Sequence, residues 1–210
     1  MKLLAQVVVL LALVCPLFAQ SKPPVLIPGL GQHHHTISTK NPEAQRFFDQ
    51  GLTLVFSFNH EEAARSFRRA SELDPQSAMA FWGVALALGP CINLDVDPPH
   101  EKAAYEAVQN ALLLAPGATE RERAYIQALS KRHSSDPNVD LRRLDAQYAN
   151  AMQELHRHCP DDLDAATLYA ESRMDLHPFT FSRPATAWPA ISRTPNMPPS
   201  KSLRTPRRCS

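Results

Sequence analysis

Residues 44–75 read AQRFFDQGLTLVFSFNHEEAARSFRRASELDP, and this stretch decides the fold. Apolar and small residues recur at three- and four-residue steps, first Phe47, Gly51, Leu54 and Phe58, then Ala63, Phe67 and Ala70. That period belongs to a helix with one buried face, and here it occurs twice. Asn41-Pro42 stands just before the first run, an N-cap followed by proline at the first helical position, where its missing N–H costs nothing. Asn59-x-x-Glu62 resembles a capping box at the start of the second run, and Pro75 stops it. The stretch predicts two helices joined by a short turn.

The same punctuation continues outward. Asp97-Pro98 and Asp136-Pro137 repeat the cap-then-proline signal, Thr119-x-x-Glu122 resembles a capping box, and Asp161 or Asp162 opens a helix after Pro160. Stops stand at Gly89-Pro90 and Pro116-Gly117. These signals predict helices near 42–57, 60–73, 77–88, 98–115, 119–133, 137–157 and 162–176. No segment of residues 20–177 alternates as a strand would, so the expected class is all-α.

A 34-residue frame starting at Ala44 puts Gly51, Ala63, Phe67, Ala70 and Pro75 at positions 8, 20, 24, 27 and 32. This resembles the tetratricopeptide (TPR) repeat. Gln50 departs from it, standing where a large apolar residue is usual. The next frame carries Phe81, Val84, Ala85 and Leu88, and then, after extra residues around 91–100, Ala104, Val108, Ala111 and Pro116. A third keeps the spacing with bulkier Tyr148, Met152, Leu155 and Pro160, and a fourth begins at Leu163 with Ala170 at position 8. Small residues let paired helices approach and the aromatic fills the space between them. Each pair then buries its face on its neighbour. Residues 33–39, 44–51, 58–63, 85–90 and 161–165 further resemble a group of exported bacterial TPR-repeat proteins. That resemblance implies an extracytoplasmic TPR-like α-α superhelix over residues 41–177 and implies no reaction.

The two ends have a different character. Lys2, the apolar run from Leu3 to Val14 and the small Ala19 have the form of a secretory signal peptide over residues 1–19. The protein is therefore expected in the periplasm or secreted, with no stable membrane insertion after cleavage. All 21 acidic residues lie before residue 178, whereas residues 178–210 hold six basic residues, seven prolines and no glycine. That tail is expected to be disordered. Two readings compete for it, out-of-frame continuation of a truncated repeat protein and a natural basic arm for acidic lipids or polymers. The first is preferred because acids, glycine and periodicity vanish together. Export would leave Cys91, Cys159 and Cys209, an odd number that makes no disulfide framework. A Cys91–Cys159 bridge is open, as are buried free thiols.

Chemistry is sparse. The net charge of +1 does not fit a nucleic-acid binder. There is no nucleophile elbow, no phosphate-cradling glycine loop, no paired Cys-x-x-Cys and no His-Glu-x-x-His. An enzyme is not expected, nor a cofactor. Asp161, Asp162 and Asp164 read as solvated helix caps. The sharpest local feature is His33-His34-His35 in a segment, 20–40, expected to be extended. Neutral imidazoles bind transition metals, but consecutive residues of an extended chain alternate in direction, so two of the three share a side. His60, His156, His158 and Cys159 are secondary candidates.

In a TPR array the concave groove is lined by the first helix of each pair. Phe48, Leu52, Val55, Met79, Trp82 and Leu86 occupy those slots and would form an apolar groove for a protein or peptide partner, unless residues 23–38 or the 89–100 insert cover them as core. The expected function is an extracytoplasmic scaffold for protein–protein interaction or assembly. The alternative is a metal-binding protein using the His33–His35 segment.

Overall fold

The computed structural model describes residues 24–92 and 95–177. The signal-like start and the basic tail, with the expectations placed on them, lie outside the described residues. The described residues form an all-helical chain with no strand. In order they are α1 (Pro42–Phe56), α2 (His60–Leu73), α3 (Ala78–Leu88), α4 (Pro98–Leu114), α5 (Glu120–Leu129), α6 (Leu141–His158) and α7 (Leu163–Asp175). A short 3-10 turn, Ala115–Gly117, closes α4. No helix among them is long and apolar enough to cross a membrane.

The caps act as the sequence leads one to expect. The Asn41 side chain accepts from the Glu43 and Ala44 amides, with Pro42 at the first helical position. Thr119 and Glu122 form a complete capping box at α5. At Asn59 only one half forms, the side chain accepting from Glu62 N. Between α1 and α2 the chain reverses through Phe58 at φ 59°, where Phe58 N donates to Val55 O and Asn59 N to Leu54 O. These two bonds satisfy the last carbonyls of α1 in a Schellman motif.

One predicted start differs. Asp136-Pro137 opens a turn, not a helix: Asp136 accepts from Asn138 N through its side chain and from Val139 N through its carbonyl. Helix α6 begins behind Asp140, whose side chain accepts from Arg142 N and Arg143 N. Helix α5 also ends earlier than the predicted 133, because Arg132 and His133 turn inward to buried ion pairs.

Consecutive helices pack on one another along the chain, and α1 also meets α3, as α3 meets α5. The contact between α1, α2 and α3 centres on Phe67. A Cβ on Gly51 would stand 2.7 Å from its ring, and one on Gly83 closer still, so both glycines are required for this approach. Ala63, Ala70, Ala85, Ala104, Val108 and Ala111 are all fully enclosed. Tyr148, Met152 and Leu155 of α6 are also buried. Ala170 of α7 is exposed. Cys91 is a free, half-buried thiol, so the Cys91–Cys159 bridge does not form.

Candidate functional site

The segment before α1 lies along that helix, held by three of its polar side chains. Gln45 accepts from Ile37 N at 3.0 Å and donates to His35 O at 2.8 Å. Asp49 accepts from His35 N at 3.0 Å. Gln50 accepts from Ile27 N at 2.7 Å, and donates to Val25 O and to Ser66 Oγ, both at 3.0 Å. Gln50 thus ties residues 25–27 and α2 to α1. Farther on, Ser38 donates through its amide and its hydroxyl to Glu122 of α5, each at 2.5 Å. Burial pushes the Glu122 carboxyl up. The bonds from Ser38 and Thr119 outweigh it and hold the group below the usual carboxylate range.

Of the two readings of the groove slots, open lining and covered interior, this arrangement favours the interior. Phe48, Leu52, Val55, Met79, Trp82 and Leu86 are all buried. The His35 ring lies against Phe48 with centroids 5.9 Å apart, and the Tyr125 ring of α5 meets Trp82 edge-on at 5.5 Å. Trp82 Nε1 donates to Tyr125 O at 3.2 Å. The six side chains are interior, covered partly by the entry segment and partly by α5.

The histidines alternate in direction. His34 Nδ1 meets Asp49 Oδ2 at 2.8 Å and remains exposed. His33 and His35 turn the other way and converge on Asp164 in α7. His33 Nε2 lies 3.3 Å from Asp164 Oδ1, and His35 Nδ1 lies 2.6 Å from Asp164 Oδ2. His35 is buried, its ring edge-on to Tyr125 at 5.4 Å. Asp162 sits beside them. Its Oδ1 accepts from Tyr125 Oη at 2.9 Å and from the amides of Asp164 and Ala165. Its Oδ2 is buried and makes no hydrogen bond, and Arg121 Nε lies 3.9 Å away. Burial, then the Asp162 charge, pushes the Tyr125 hydroxyl far up, so it acts as a neutral donor. One ligand atom from each of His35, Asp162 and Asp164 falls within 4.8 Å of the others. A cavity of about 520 Å³ opens beside them, lined also by His33, His34 and Arg121.

Asp162 and Asp164 were expected as solvated caps. Asp162 does cap α7, but its side chain is only 6% exposed. The local pattern held no distance between residues 35 and 164. The usable signal was the alternation of the histidines, which leaves two imidazoles on one side in need of a partner.

The secondary histidines lie elsewhere. His156 stacks on Tyr169 with centroids 5.8 Å apart, and His158 Nδ1 donates to Glu154 O. Both nitrogens of His60 are buried; burial and then the Arg132 charge hold its pKa below the ordinary value, against the Ala87 backbone. Arg132 is the centre of a second polar cluster. It pairs with Asp145 at 3.0 Å and Asp175 at 2.5 Å, and stands 4.8 Å over the Tyr148 ring. Nearby, His133 pairs with Glu101 at 2.9 Å. These pairs join the loop after α5 to α4, α6 and α7. They act as structural ties between these helices. Comparison of the chain with protein-family models, with curated proteins and with solved structures finds no match.

Proposed function

We propose that the chain is a TPR-like helical-repeat module, exported to the periplasm or beyond, that serves protein–protein interaction or assembly by holding an extended peptide along its first helix. The observation that carries this reading is the set of bonds from Gln45, Asp49 and Gln50 to the backbone of residues 25–37. They address amides and carbonyls, which every peptide has, so this part of the hold is common to any extended segment, while the buried Ile37 side chain adds a sequence-dependent anchor. In this chain the occupant is its own entry segment. A second copy, or a partner with an extended segment, would use the same bonds by exchange. The sequential packing of helix pairs around Gly51, Phe67 and Gly83 supports the repeat assignment.

The test uses the full chain. Ile37 is buried in the core, so Ile37→Asp should dislodge the entry segment while the helices remain. A labelled peptide of residues 24–39 should then bind Ile37→Asp and not the wild type, whose own segment occupies the place. If circular dichroism shows helices intact and neither protein binds the peptide, the reading fails.

A further inference from the structure

We propose that His33, His35, Asp162 and Asp164 form a binding site for one divalent transition ion of the Zn²⁺ or Co²⁺ class. Three observations converge on it. His33 and His35 both turn onto the same carboxylate, Asp164, from a segment 129 residues away in the chain. The 3.3 Å between His33 Nε2 and Asp164 Oδ1 is the separation of two ligands around a tetrahedral ion with bonds of about 2.0 Å. Asp162 Oδ2 is buried beside them without a hydrogen bond, its partner oxygen already saturated by Tyr125 and the start of α7. Arg121 Nε stands 3.9 Å from that oxygen, an ion pair too long for a hydrogen bond, and a cation at this point would compensate the buried charge more closely.

The donor set selects the ion. Two imidazoles and two carboxylates suit borderline divalent metals, whereas Ca²⁺ and Mg²⁺ take oxygen ligands. The adjoining cavity gives an ion a way in from solvent. His35 Nδ1 and Asp164 Oδ2, at 2.6 Å, must part slightly to admit it, and Arg121, whose side chain is 42% exposed, must give way at Asp162. The ion would join the entry segment to α7, the first described segment to the last described helix. It would thereby act as a clasp on the peptide that lies along α1.

The experiment uses the untagged full chain, with Zn²⁺ titrated in competition with a chromophoric chelator and Co²⁺ followed by its visible absorption. The expected result is one ion per chain, with the strong d–d bands of a four-coordinate Co²⁺ site. His33→Ala, which removes a part-exposed side chain, should weaken binding about tenfold or more. Asp162→Asn should do the same while still capping α7, because asparagine is an equally good N-cap. His34→Ala should leave affinity unchanged, since His34 faces Asp49. Absence of a one-to-one site would overturn the proposal. So would a loss in His34→Ala as large as in His33→Ala, or unchanged affinity in His33→Ala and Asp162→Asn.

Discussion

The ring of Phe67 in α2 occupies the volume that a Cβ on Gly83 in α3 would need, and Gly51 in α1 crowds the same ring. Three helices from two successive pairs are locked by one aromatic and two absent methyl groups. Gly83→Ala should therefore destabilise the fold by about 1–3 kcal/mol through overpacking. This outweighs the gain of about 1 kcal/mol that alanine brings to a helix interior. Gly117→Ala is the control, because nothing lies within 4 Å of its Cβ position. Urea unfolding should separate the two. A Gly83→Ala protein as stable as the wild type would remove the packing argument.

Trp82 decides between core and open groove. It is 2% exposed and donates to Tyr125 O. Trp82→Ala should cost about 3–5 kcal/mol, as a large cavity in a packed interior does. Trp82→Phe, which keeps most of the apolar volume, should cost less. If Trp82→Ala melted like the wild type and lost only partner capture, the interior placement would be wrong.

What was legible in the sequence follows the range of the interaction. Asn41, Asn59, Thr119 and Asp162 act within three residues, and their helices start where the caps stand. The cadence of Gly51, Ala63, Phe67 and Ala70 is also short-range, since it marks the inner face of a helix pair. Asp136-Pro137 misled because a turn uses the same cap chemistry as a helix, and only Asp140 has helical spacing behind it. The groove residues left two readings open for another reason. Their slots fit a lining as well as an interior, and the choice lies with Tyr125 and His35, far away in the chain. The His35–Asp164 contact has no local signature at all.

Glu171 makes the cluster around Arg132 sensitive to pH. Its Oε2 is buried without a partner. Burial pushes its pKa up to about 7; the Arg132 charge opposes this, while Asp175 and Asp145 add to it. The folded state thus holds a proton that the unfolded chain releases in the ordinary carboxyl range. Stability from this group is fully present below that range and declines as pH rises through about 7. Glu171→Gln, which mimics the neutral acid, should flatten that decline and make the protein more stable than wild type at pH 8. Melting temperatures across pH 5–8 test it, and a variant whose pH profile parallels the wild type would sink the idea.

Glu122 works in the opposite sense. Its carboxylate receives the amide and hydroxyl of Ser38 as well as Thr119, so the folded state favours the charged form. Because its folded pKa lies below the unfolded one, its contribution is present above the ordinary carboxyl range. It is lost as pH falls through the lower, folded value. Glu122→Gln at neutral pH should imitate that acid loss. An amide oxygen is a weaker acceptor for two short bonds, and its NH₂ faces donors at Thr119 and Ser38. The expected cost is about 1–3 kcal/mol. The loss should be local, because Ser38 is the point where the entry segment crosses from α1 to α5. Hydrogen exchange should therefore quicken at the Ser38 and Ile37 amides, while the Phe67 region stays protected. Uniform quickening across α1 to α3 would show that Glu122 supports the whole array and not the crossing alone.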